Sequence, residues 1–210
     1  MKLYDCHVAP SPRRVRIFLA EKGVKMEMVE VDLMHAANLK EPFLSINPRG
    51  LVPTLELDDG TRIDEAVAIC RYIEAIYPDP PLMGTDPKSI AIIESRSRHM
   101  EQEGFQSVAD AFRNTTPGFA KRGLQGVTEE VPAIPALAER GLGGLRRFYA
   151  SLEKWLSENE YVAGSTYSIA DISAMVAIDF AGWIKKGIPE ENVHTKRWYE
   201  AVSSRPSAKA

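Results

Sequence analysis

Cysteine is scarce: among 210 residues only Cys6 and Cys70 carry thiols. Two cysteines so far apart make neither a disulfide framework nor a zinc-ligand set, and neither belongs to a C-x-x-C redox pair. The four histidines, His7, His35, His99 and His194, are scattered without a metal-ligand spacing, so no metal is expected. An excess of one charge is missing too. With 29 acidic and 26 basic residues the formal charge is −3, which gives no field to draw nucleic acid or an anionic membrane. No apolar run approaches the roughly 18 residues of a membrane span. Met1-Lys2-Leu3-Tyr4-Asp5 places charge where a signal peptide needs an apolar stretch. Repeats and low-complexity tracts are absent. Gly141-Leu142-Gly143-Gly144 lacks the third glycine of a dinucleotide loop and follows no strand, so it reads as a helix bend or an interrupted helix start. What is present is a 44% hydrophobic content, enough to bury a core. The expectation is a cytoplasmic globular protein with no nucleic-acid or membrane partner.

The chain changes character near residue 80. Residues 1–6 suit a first strand. Ser11-Pro12 reads as a helix start, with Ser11 as the N-cap and Pro12 at the first helical position. Val15, Phe18 and Leu19 fall on one face of that helix, and Arg13, Arg14 and Arg16 are left to face water. Gly23 ends it, and residues 24–31 alternate as a strand with one slip of phase. After a loop, residues 54–57 and 61–63 flank Asp58-Asp59-Gly60 as a β-hairpin. Asp64 then caps a helix whose apolar face is Ala66, Ile69, Ile73, Ile76 and Tyr77. The order β-α-β, loop, β-β-α is that of an α/β thioredoxin-like domain. Asp79-Pro80-Pro81 is a stiff breaker. Beyond it the pattern is all-helical: residues 89–113, a stripe through Leu145, Phe148, Leu152, Trp155 and Leu156, residues 168–183, and a short helix over 196–204. Residues 114–135 read as loop. The expected division is 1–79 for the thioredoxin-like domain, 80–88 for the linker and 89–210 for an all-α domain.

Five segments then resemble the cytosolic glutathione transferase family in the right order: Pro12-Arg13-Arg14-Val15-Arg16-Ile17, Phe43-Leu44-Ser45-Ile46-Asn47-Pro48, Val52-Pro53, Asp64-Glu65-Ala66-Val67-Ala68-Ile69 and Ser168-Ile169-Ala170-Asp171. The resemblance covers nearly the whole chain. It implies that Pro53 follows a cis peptide bond and that the N–H and C=O of Val52 pair with the cysteinyl part of glutathione. It implies that Glu65 accepts from the γ-glutamyl ammonium, while the helix start at Ala66 receives the adjoining carboxylate. Similar transferases carry serine where this chain has Ala66. Asn38 lies where several similar enzymes contact the glycyl end.

Ser11 is the catalytic candidate. Related serine-type transferases use a hydroxyl just before the first helix, and the resemblance implies that Ser11 donates to the glutathione sulfur and, with the helix dipole, favours the thiolate. The usual serine or cysteine position of the family aligns with Pro10, one residue earlier. Tyr4 and Cys6 read as structural. Ser168 to Asp171 resembles the family's structural capping box, so Asp171 is not assigned to catalysis. Met100, Phe105, Phe112 and Phe119 are apolar residues of the second domain that serve equally as core or as substrate wall.

The resemblance implies that glutathione, as co-substrate, is conjugated to a small electrophilic substrate by a homodimeric enzyme of detoxification. Two alternatives stay open: a weakly active or regulatory glutathione-binding protein, and a glutathione-dependent isomerase, to whose pre-helix pattern Ala9-Pro10-Ser11 is a poor match.

Overall fold

The computed structural model describes residues 1–210. Strand β1 (Lys2–Asp5) leads to helix α1 (Pro10–Glu21) and strand β2 (Glu27–Glu30). A short helix α2 (Phe43–Ile46), strands β3 (Thr54–Glu56) and β4 (Arg62–Asp64), and helix α3 (Ala66–Ile76) complete a thioredoxin-like sheet domain. The strand order is β2-β1-β3-β4. β1 and β2 are parallel, as a helical crossover requires, and the other pairs are antiparallel.

Strand alternation divides the core. Leu3 and Leu55 are register partners with no exposed surface. Tyr4, the next residue, packs instead with Val31 and Phe43. Its ring meets that of Phe43 edge-on at 6.0 Å. α1 packs against α3, whose buried face is Ala66, Val67, Ile69, Cys70 and Ile73. The expected face ran on to Ile76 and Tyr77, but both are about two-fifths exposed because the helix ends there. β2 is also shorter than read. It is an edge strand paired only with β1, and Glu27 and Glu30 on it discourage further pairing.

α1 starts earlier than read. Ala9 is the N-cap, and Pro10 and Ser11 occupy the first two helical positions. Pro10 and Pro12 both fall where an amide N–H would find no partner in the helix. The first helical bond is Arg13 N–H to the Ala9 carbonyl, at 3.3 Å. Two prolines, not one, set this start. Nor do Arg14 and Arg16 face water: both are buried.

The helical part holds α4 (Pro87–His99), α5 (Gln106–Arg113), α6 (Pro135–Glu158), α7 (Ile169–Trp183) and α8 (Val193–Ser203). Residues Met100–Phe105 join α4 to α5 as a π-helical stretch. α4 begins two residues before the expected 89. Asp86 accepts from the N–H groups of Lys88 and Ser89 at 3.0 and 3.2 Å, while Ser89 Oγ accepts from the Asp86 N–H, which makes a full capping box. α6 runs unbroken through Gly141, Gly143 and Gly144. Gly141 and Gly144 are neither bend nor start. A Cβ on Gly141 would lie 2.5 Å from the Ser107 carbonyl oxygen, and one on Gly144 would strike the Ser107 side chain, so these glycines let α6 approach α5. Nearly every residue of α7 is buried. By contacts the chain forms two units: 1–80 with 124–130 and residue 210, and 81–123 with 131–209. Residues 124–130, read as part of the second domain, thus group with the first. No helix is long and apolar enough to cross a membrane.

Candidate functional site

In the sheet, Tyr4 pairs with Thr54, and Thr54 with Asp64. One residue beyond these partners come Asp5, Pro53 and Glu65. The exit from β1, the entry to β3 and the helix start after β4 therefore share one end of the sheet. Ser11, Val52, Pro53, Glu65 and Ala66, read separately from the sequence, all belong to these three connections.

The exit from β1 is held from beneath. Arg16 Nη1 donates to Asp5 Oδ1 at 2.7 Å, and both side chains are more than nine-tenths buried. Arg16 Nη2 donates to the His7 carbonyl at 2.7 Å, and Nη1 also reaches the Cys6 carbonyl at 3.4 Å. One guanidinium fork thereby fixes the loop that delivers Ala9, Pro10 and Ser11. Ser11 Oγ accepts from Arg14 Nη2 at 3.0 Å, which leaves the hydroxyl proton available to donate. Because residues 10 and 12 are prolines, the Ser11 amide is the one backbone donor among the first three positions of α1.

The entry to β3 depends on Asn47, which the sequence marked only as part of a motif. Its Nδ2 donates to the Leu51 carbonyl at 3.0 Å and to Thr54 Oγ1 at 3.1 Å, and its Oδ1 accepts from the Arg49 N–H at 3.0 Å. Thr54 Oγ1 donates in turn to the Leu51 carbonyl at 3.2 Å. Val52 is thus flanked by anchored residues, and the Val52–Pro53 bond is cis. Asn38 is buried and donates to the Gly50 carbonyl at 2.7 Å. Gly50 has φ +62, and a Cβ there would stand 2.9 Å from the Asn38 carbonyl oxygen. Asn38 therefore supports the turn before Val52, and its amide N–H is engaged inside the protein.

The helix start after β4 differs from the reading. Asp64 is the last residue of β4, not the cap, because its backbone belongs to the ladder with Thr54. Glu65 is the N-cap, with φ 65 and ψ 120 and no side-chain capping bond. A non-glycine residue at positive φ costs of order 1–3 kcal/mol, and such strain gathers at functional positions. The cap carboxylate, which could have turned back on the helix, points out and accepts from Arg49 Nη1 at 2.9 Å. Asp64 Oδ2 lies 3.5 Å from the same nitrogen. Glu65 is largely exposed, whereas Ala66 is buried and presents the free end of α3 through its backbone. The sequence did not single out Arg49; its position between Pro48 and Gly50 was the available signal.

Other polar groups fall outside this set. Tyr4 is buried and its hydroxyl faces Glu56 Oε2 at 3.3 Å. Burial pushes the Cys6 thiol above its ordinary pKa, as suits an inert side chain. No group of three or more His, Cys, Asp or Glu residues is placed to hold a metal ion. In the helical unit Met100 is fully buried core, while Phe105, Phe112 and Phe119 are partly exposed and join an aromatic cluster with Phe180 and Trp183.

Known proteins share this architecture. The family described as "Glutathione S-transferase, N-terminal domain" matches residues 3–81, and "Glutathione S-transferase, C-terminal domain" matches residues 126–206. Glutathione S-transferase 2 of Saccharomyces cerevisiae is 35% identical over 211 residues, spanning 100% of this chain and 88% of its own. A glutathione S-transferase of Hyoscyamus muticus is 31% identical, over 99% and 95%. The crystal structure of Gtt2 from Saccharomyces cerevisiae superposes with a TM-score of 0.91 at 34% identity, covering 100% of this chain and 99% of that one. A glutathione S-transferase domain-containing protein from Marinobacter aquaeolei VT8 superposes with a TM-score of 0.89 at 35% identity, over 99% of both chains.

Proposed function

The chain belongs to the glutathione S-transferase family, and on that premise we propose that it conjugates the thiolate of glutathione to a small electrophile. That it is a transferase follows from the full-length relatives. The assignment of roles is our own reading. The observation that carries it is that the loop leading to Ser11, the Val52–Pro53 entry to β3 and the Glu65–Ala66 helix start all lie at the same end of the sheet.

In this reading the Val52 backbone pairs with the cysteinyl unit. Glu65 takes the γ-glutamyl ammonium, and the unpaired N–H groups opening α3 take the neighbouring carboxylate. Ser11 donates its hydroxyl proton to the sulfur, joined by its own N–H and the positive end of α1. These donors stabilise the thiolate over the thiol, so the bound sulfur ionises at lower pH. Asn38 acts as a positioning residue through Gly50. The missing hydroxyl at Ala66 leaves the carboxylate to backbone donors alone. A homodimer completes the reading: α4 leaves Ile90 and Ile92 exposed, and sedimentation over a dilution series tests it. A cytoplasmic location suits two buried cysteines that form no disulfide, and conjugation suits detoxification of the electrophile.

The test pairs glutathione binding with conjugation of an aryl halide in wild type and Ser11→Ala. Removing a hydrogen bond to a charged sulfur lowers turnover by about 10- to 100-fold and moves the rising limb of the pH–rate profile upward. An unchanged profile removes Ser11 from this role and leaves the family assignment intact. Failure to bind glutathione at millimolar concentration sinks the reading; binding without conjugation makes the chain a glutathione-binding protein.

A further inference from the structure

Asp64 and Glu65 put two neighbouring carboxylates where the reading above places the γ-glutamyl head, which is itself a zwitterion. They attract its ammonium and repel its carboxylate. That carboxylate is to be received at the opening of α3. The first helical bond there runs from Ile69 N–H to the Glu65 carbonyl at 3.0 Å, so the amides of residues 66–68 have no partner within the helix. With alanine at position 66, no hydroxyl adds to these backbone donors. Two acids beside such an opening work against an anion unless a cation offsets them.

Arg49 is that cation. Its Nη1 donates to Glu65 Oε1 at 2.9 Å and lies 3.5 Å from Asp64 Oδ2, so one guanidinium serves both acids. The bond takes Oε1 of Glu65 and leaves Oε2 to meet an ammonium. The other side of the guanidinium is confined. Gly126 has φ +77, and a Cβ there would stand 3.4 Å from Arg49 Nη2, 3.7 Å from Nε and 3.3 Å from Leu51 Cδ1. Glycine lets the main chain of residue 126 come close to Arg49, which leaves the guanidinium little room to turn from the acids. We infer that Arg49 determines specificity for the zwitterionic head of glutathione: it lowers the charge of the Asp64–Glu65 pair so that a carboxylate is accepted beside an ammonium. The inference rests on the glutathione-binding reading and adds a residue that acts through the two acids. All three side chains are partly exposed, so the effect is moderate and screened by salt.

The experiment titrates the full chain by calorimetry with glutathione and two truncated thiols. γ-Aminobutyryl-cysteinylglycine lacks the head carboxylate, and glutaryl-cysteinylglycine lacks the head ammonium. In Arg49→Met the aminobutyryl ligand binds more tightly than in wild type and the glutaryl ligand more weakly. Their affinity ratio shifts by about tenfold toward the cationic head. Arg49→Lys, which keeps the charge, leaves the ratio within about threefold of wild type. Added salt narrows the difference between wild type and Arg49→Met. Equal weakening of all the ligands in Arg49→Met means a structural role and overturns the inference. A lysine variant with the methionine ratio overturns it as well, as does wild type that binds glutathione no more tightly than the aminobutyryl ligand. Wild type that binds none of the thiols at millimolar concentration sinks the glutathione reading itself. Tight binding of glutathione with an unshifted ratio in Arg49→Met removes the role of Arg49 and leaves that reading standing.

Discussion

Arg16 and Asp5 form a buried ion pair, 2.7 Å between Nη1 and Oδ1, at the root of the loop that carries Ser11. Its arms also hold the Cys6 and His7 carbonyls. Removing one member strands the other's charge away from water, at about 3–5 kcal/mol. Arg16→Met should lose stability of that order in urea unfolding. The double substitution Asp5→Leu with Arg16→Met should recover much of it, since no charge is then left unpaired. A loss under about 1 kcal/mol in Arg16→Met would show that the pair carries no such weight.

Glu65 offers a separation of strain from charge. Glycine at φ 65 escapes the steric penalty, while glutamine keeps it. The exposed pair with Arg49 contributes at most about 1 kcal/mol. Glu65→Gly should therefore be more stable than Glu65→Gln by about 1 kcal/mol, after the entropy cost of glycine. Both should raise the KM for glutathione alike, since both delete the carboxylate. Denaturant midpoints and glutathione saturation curves measure the two effects; a more stable glutamine variant contradicts the strain argument.

Which features were legible follows from how local their causes are. The hairpin at Asp58-Asp59-Gly60 and the α7 start at Ser168 rest on turn and cap chemistry within a few residues, and both were readable. Arg14 and Arg16 were misread because helical spacing assigns charged residues to water, and the burial of Arg16 depends on groups brought up by tertiary contact. For Arg16 that group is Asp5, eleven residues away. The start of α8 was missed for the same reason. Glu153 of α6 accepts the N–H groups of His194 and Thr195 at 3.0 and 2.9 Å, so a distant carboxylate opens that helix. In the candidate site the resemblance pointed to Val52, Pro53, Glu65 and Ala66. Asn47 and Arg49, which brace them, act through hydrogen bonds that no periodicity encodes.

Gly104 is the one glycine in the long helical run after the linker, and space explains it. A Cβ there would come within 2.7 Å of the Phe148 ring and 3.2 Å of Ala177 Cβ. Phe148 has no exposed surface and nowhere to withdraw. Gly104→Ala gains helix propensity of about 1 kcal/mol but overpacks the contact, at about 1–3 kcal/mol. Net destabilisation in thermal unfolding is expected. A variant as stable as wild type would mean that the π-helical turn absorbs the methyl group.

Asp171 should leave a signature in the pH dependence of stability. It is fully buried at the start of α7, where Oδ1 accepts from the Val162 N–H at 2.9 Å and Trp198 Nε1 at 2.8 Å. Oδ2 accepts from the Ser168 N–H at 2.9 Å. Burial pushes the group up to about 6 from its ordinary 3.8, against the pull of these donors. Below pH 3.8 folded and unfolded chains both hold the proton, and the stability tied to this group is fully present. As pH rises toward 6 the unfolded chain ionises first, so that stability is lost, by about 3 kcal/mol in all, and then levels off. Asp171→Asn has no such slope. The unfolding free energy of wild type minus that of Asp171→Asn should therefore fall between about pH 4 and about pH 7. Trp198→Phe, which removes one donor to the carboxylate, should carry the decline to higher pH. A difference that stays flat or rises with pH would mean that the donors outweigh burial.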